Sequence, residues 1–206
     1  MSITITNGYT SLAVYKQRFY DEGQGDTKDD AAIGAVIEAT SRAIDLVCWQ
    51  RFFTTAADET RYYTAERADT LKPPDRIVSV TTLKTDADGD RTYEDSWTED
   101  TDFDLMPYNA TLDGIPYHSI VITPNGSYRF PTTPKGVEIA GKFGWAAAPK
   151  GVVEACLLYS HRLMARRNTP LGVSGAAAVG ELTMTVTQMK ADPEIMELLD
   201  PYVLRY

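Results

Sequence analysis

Between residues 29 and 49 apolar side chains return every three or four positions, and that period commits the stretch to a helix. Ile33, Val36, Ile37, Thr40, Ile44, Val47 and Cys48 fall at helical spacing, while Glu38, Arg42 and Asp45 fall on other faces. Thr27, Asp29 and Asp30 stand ahead of the series with side-chain oxygens suited to a helix start. A shorter series, Leu12, Tyr15 and Phe19, predicts a helix over 11–20, and the glycines of 21–28 predict a loop after it. A second long series opens at Pro149, a residue that suits a first helical turn. Val152, Val153, Cys156, Leu157, Tyr159, Leu163 and Met164 carry it to Arg167, and Asn168-Thr169-Pro170 ends it. Near the end, Asp192-Pro193 reads as a cap followed by a first-turn proline.

The texture between the two long series is different. From Phe52 to Trp145, Thr, Tyr and Val are frequent and turn residues recur at short intervals, the mark of strands. Strands are expected at 61–64, 76–84, 102–106, 119–123 and 136–143. Asp86-Ala87-Asp88-Gly89-Asp90 has the composition of a hairpin turn. The whole therefore predicts an α+β fold. A helical bundle of two long helices and short terminal helices would carry an inserted antiparallel β domain. Expected boundaries are 1–53 for the first helical part, 54–145 for the β domain and 146–170 for the second long helix. Residues 171–206 would form a flexible segment and a C-terminal arm.

Charge narrows the function. With 20 Lys and Arg against 29 Asp and Glu, the 206-residue chain carries −9. Gripping a nucleic-acid backbone needs clustered cations, so this balance argues against it; surrounding DNA without gripping it remains compatible. No run approaches the ~18 apolar residues of a membrane span, and the first residues lack the pattern of a secretory signal. Cys48 and Cys156 lie in separate helical stretches and read as reduced, buried thiols, bridged only if those helices pack side by side.

Catalytic patterns are missing. The two histidines, His118 and His161, have no acid, Cys or second His at a metal-ligand spacing. Asp86, Asp88 and Asp90 match the first ligands of a calcium loop, but Arg91 stands where glycine is needed and Trp97 where a bidentate Glu is needed. There is no phosphate-binding glycine loop and no nucleophile elbow. The expectation is no enzyme, no cofactor and no metal. Arg162, Arg166 and Arg167 cluster at the end of the second long helix. They could face DNA phosphates, answer the helix dipole, or meet an acidic partner surface.

Several stretches, in order, carry a resemblance. They are the 29–49 helix with its exit Arg51-Phe52-Phe53, Pro73-Pro74-Asp75 ahead of Arg76-Ile77-Val78, and the run from Val137 to Gly144-Trp145 with Pro149 beyond. Arg166-Arg167-Asn168-Thr169-Pro170 and the ending Leu198-Leu199-Asp200-Pro201-Tyr202 complete the set. In this order they resemble the head–tail connector (adaptor) proteins of tailed phages and phage-like gene transfer particles. The β insertion is larger than in compact members of that family. The resemblance implies a structural virion protein of the neck, assembled in the host cytoplasm as a ring, normally a dodecamer, beneath the portal protein. It implies a stopper or other tail-side neck protein as second partner, with double-stranded DNA passing through unbound and no membrane involved. It also implies that the C-terminal arm docks on the portal. Ile195, Leu198, Leu199 and Tyr202 are the candidate anchors, the alternative being that they cap the chain's own core. Two other functions stay open: a tail-completion or head-closure protein, and a ligand-binding or enzymatic domain with a cleft between helices and β unit.

Overall fold

In a computed structural model the chain is described over residues 5–20, 27–167 and 192–205. The expected flexible segment at 171–190, and most of the loop expected at 21–28, lie outside the described residues. The fold is α+β and divides into two compact units, Met1–Gln50 with Ala148–Tyr206, and Arg51–Ala147.

The first unit is helical: α1 (Leu12–Phe19), α2 (Asp30–Cys48), α4 (Lys150–Arg166) and α5 (Pro193–Leu199), with a 3-10 turn at Asp200–Tyr202. α2 buries Ile33, Ile37, Thr40, Ile44 and Cys48 of the expected stripe and Ser41 besides, while Val36 and Val47 are half-buried. Against it α4 buries Val152, Ala155, Cys156, Leu157 and Ser160. Small side chains at this seam let the helices approach, and Ser41 Oγ lies 3.5 Å from Cys156 Sγ. Cys48 is two turns further along α2, about 10 Å away, so the side-by-side packing does not bring the thiols together, and both are free and buried. Burial pushes the Cys48 thiol up to about 12 and raises that of Cys156 as well. Two expected starts differ in detail. Pro149 is the residue before the helix rather than inside its first turn. Asp29 precedes α2 without capping it, because its carboxylate is bound elsewhere.

The second unit holds two antiparallel sheets. One has the order β1-β7-β3-β4, from β1 (Glu59–Tyr63), β3 (Ile77–Thr85), β4 (Asp95–Trp97) and β7 (Val137–Phe143). The other has the order β2-β6-β5, from β2 (Thr70–Leu71), β5 (Phe103–Met106) and β6 (Ser119–Ile122). β7 alternates cleanly, with Val137, Ile139 and Phe143 buried between half-exposed neighbours. The alternation expected along β3 is broken by register shifts between Ile77 and Ser79 and between Val80 and Thr82. Such irregularities re-aim side chains, and the buried positions become Ile77, Leu83 and Thr85. Side chains of both sheets close one core, with Trp97 and Phe130 stacked at 4.6 Å between ring centres. The indole N–H of Trp97 donates to Thr85 Oγ1 at 2.9 Å, so this buried donor is satisfied. Between β5 and β6 the chain makes one more helical turn, α3 (Ala110–Asp113).

Candidate functional site

The expected C-terminal arm folds onto the helical unit. Asp192 caps α5, its carboxylate accepting the Ile195 N–H at 3.4 Å, with Pro193 at the first helical position. Ile195 and Leu199 are fully buried, while Leu198 and Tyr202 are half-buried. α5 runs antiparallel to α4. Its start is held by Arg162, which pairs with both Asp192 and Glu194. Its end lies over Gly151, where an added Cβ would sit 3.1 Å from the Leu198 carbonyl oxygen and 3.2 Å from the Tyr202 ring. The chain then finishes on α2: Gln50 donates to the Tyr202 carbonyl, and the Leu204 N–H donates to the Cys48 carbonyl at 3.0 Å. That last bond satisfies a carbonyl the end of α2 leaves without a helical partner.

The three arginines therefore have separate surroundings. Arg162 is spent on α5. Arg167 lies bidentate on Asp29, at 3.0 and 3.1 Å, and this guanidinium holds the Asp29 carboxyl below its ordinary range. Arg166 is half-buried at the last turn of α4. Further ion pairs fasten α1, Lys16 to Asp30 and Arg18 to Glu154, the second at 2.8 Å. Sequence reasoning missed all these pairings, because none has a signature in local spacing.

Both histidines are exposed residues, each with contacts on part of its ring. The His161 ring stacks on Phe19 at 3.9 Å between centres, and its Nδ1 lies 3.2 Å from the Tyr15 hydroxyl. Burial lowers its pKa. His118 Nδ1 lies 3.3 Å from Ser119 Oγ, and burial, then Arg76, lowers its pKa. In the acidic turn both Asp86 oxygens are taken, by the Gly89 N–H at 2.7 Å and the Arg91 N–H at 2.9 Å. Burial opposes the Asp86 charge, but these donors outweigh it and the pKa falls. Asp88 and Glu94 bring carboxylate oxygens within 4.8 Å of it. An open depression of about 430 Å³ beside α1 is lined by the apolar Ile5, Val14 and Val153 with Gly8, and by the polar Asn7, Tyr9, Thr10 and Ser11, with no charged side chain among them.

Among the described residues, Val14 and Tyr62 are exposed singly, and large apolar side chains gather in solvent at two places. Leu46 and Trp49, at the end of α2, are 75% and 69% exposed. Tyr108, Leu112 and Ile115, around α3, are 65%, 85% and 41% exposed. No helix among the described residues is long and apolar enough to cross a membrane.

No family model matches the sequence, and no curated protein matches it. Solved structures do. A chain from the neck of an empty gene transfer agent particle, computed with C6 symmetry, aligns with a TM-score of 0.57 at 20% identity, over 100% of this chain and 95% of its own. A chain from the neck of the native particle, computed with C12 symmetry, gives 0.55 at 19%, over 100% and 94%. A chain from the virion of the native particle gives 0.58 at 18%, over 99% and 94%. At this identity the likeness defines the fold, and it does so along essentially the whole chain, the large β insertion included. The chain has the fold of these gene transfer agent particle chains.

Proposed function

We propose that the chain is a structural neck protein of a phage-like particle, a head–tail connector that forms a ring beneath the portal and carries the DNA channel toward the tail. The observation that carries this reading is the end-to-end likeness to chains of gene transfer agent necks. A part of a different protein would match over a segment; here both chains are covered almost completely. The necks containing those chains were computed with C6 and C12 symmetry, which supports a closed, heterologous ring in which each copy shows different faces to its two neighbours. The net charge of −9 favours a lumen through which DNA slides. The portal is met by the C-terminal arm. Because Ile195 and Leu199 already face the chain's own core, docking by α5 in its present position falls to Leu198, Tyr202 and the exposed charges around them. A stopper-type protein takes the opposite side.

Quantitative peptide mass spectrometry on purified, DNA-filled particles tests this reading. The expected result is the chain at the copy number of the portal protein. Its absence from particles, with the chain confined to the lysate, would overturn the proposal.

A further inference from the structure

α2 is apolar on more sides than its own unit covers. Opposite the buried stripe, Ala31, Ala35, Ala39, Arg42, Leu46 and Trp49 are all exposed, at steps of three and four that keep them on one face. The charges on and beside this face are engaged by partners in the same chain. Glu38 accepts the Thr6 N–H at 2.7 Å, Asp45 accepts the Tyr9 hydroxyl, and Arg42 reaches Asp45 at 3.3 Å and the Asn7 carbonyl at 2.8 Å. A mostly apolar helix face that no element of its own unit covers marks an interaction surface. This one has nothing among the described residues over the Leu46–Trp49 end.

The other exposed apolar group is the α3 tip, and it differs in kind. Tyr108, Leu112 and Ile115 stand on a short projecting turn, whereas the α2 face is a row of small side chains closed at one end by two large ones. Neither patch sets a row of acids against the other: Asp113 is the one carboxylate of residues 107–118, and the one charge on the exposed stripe is Arg42, already paired with Asp45. Copies that each carry −9 repel through most of their surface, so self-association needs patches that avoid facing carboxylates. These two satisfy that condition, and being different from one another they suit a heterologous contact. We propose that the α3 tip of one copy packs Tyr108, Leu112 and Ile115 onto the outer face of α2 of the next copy, against Leu46 and Trp49. The proposal rests on the ring reading above and names its interface.

Cysteine cross-linking tests it on the full chain, because both native thiols are fully buried. L46C, L112C and the L46C/L112C double variant are mildly oxidised, as concentrated purified protein and in particles. The expected result is a ladder of disulfide-linked copies from the double variant, and monomers from either single variant. Dimers of L112C alone would place tip against tip and overturn the proposal, as would the absence of a ladder from both preparations. A ladder from purified chain, with the chain itself absent from particles by peptide mass spectrometry, keeps this interface and removes the neck assignment; chain present in particles without a ladder overturns the interface and leaves that assignment standing, so the two failures are separable.

Discussion

Arg162 on α4 and Asp192 at the start of α5 are joined by an ion pair, and the same Asp192 carboxylate caps α5 through the Ile195 N–H. One buried acid thus fixes both the beginning of the arm helix and its seat on the bundle. Replacing Asp192 by Ala removes the cap and one partner of Arg162, with an expected loss of about 2 kcal/mol in urea unfolding. Glu194→Ala removes the exposed half of the clamp and is expected to cost under about 0.5 kcal/mol. Equal effects from both would show that α5 is not seated by Asp192.

Leu198 and Ile195 separate the arm's two expected roles. Truncating the fully buried Ile195 or Leu199 to Ala is expected to lower stability by about 2–5 kcal/mol, the cost of a cavity. Leu198→Ala, at a half-buried site, is expected to cost less than half of that while weakening retention of the chain in particles. The comparison needs unfolding curves beside particle mass spectrometry. Retention unchanged by Leu198→Ala and Tyr202→Ala together would remove these side chains from portal docking.

The strong periodicities were legible: α2, α4 and α5, and the strands β3 and β7, are where residue spacing places them. What escaped was short or distant. β2 and β4 have too few residues to show alternation, and α3 is a single turn inside what reads as loop. Helical spacing showed that Ile195 and Leu199 share an apolar face, but an apolar face looks the same whether the chain's own core or a partner covers it. Arg167 and Asp29 are 138 positions apart, so a carboxylate that reads as a helix cap is in fact a guanidinium partner. For the same reason the arginine cluster at the end of α4 read as one basic patch, although its members serve different contacts.

His161 makes the helical unit sensitive to acid. Burial holds its folded pKa below the ordinary 6.5, so just below that pH the unfolded chain binds more protons than the folded one. Stability is therefore expected to fall as pH drops through 6.5, levelling off once the folded His161 is itself protonated. His161→Phe keeps a ring on Phe19 and removes the titration, so the difference between urea midpoints at about pH 7 and pH 5 should shrink. His118, also depressed, accounts for part of what remains. An unchanged pH dependence in His161→Phe would assign the effect elsewhere.

Gly144, at the corner after β7, has φ +109, and its N–H donates to the Arg76 carbonyl at 2.8 Å. A Cβ there would lie 1.9 Å from the Phe53 carbonyl oxygen, a backbone atom that cannot swing away. Gly144→Ala is expected to cost about 3 kcal/mol or more in the β unit, from strain and clash together. Hydrogen exchange should show the loss first along β7 and the neighbouring strands. A variant as stable as the parent would mean that the corner can adopt another path.

Trp49 offers an optical reading of assembly. It is 69% exposed, whereas Trp97 and Trp145 are 6% and 7% exposed, so a soluble quencher acts on essentially one of the three indoles. Trp49→Phe should remove most of the quenchable emission from the free chain and leave its stability within about 0.5 kcal/mol, as for surface positions generally. If the α2 face is covered by the next copy, association makes Trp49 resist quenching and shifts its emission to shorter wavelength, since the indole passes from water into apolar surroundings. Leu112→Asp should abolish that protection, because the charge would have to be buried against Trp49. Association that leaves Trp49 fully quenchable would put the contact between copies on another face.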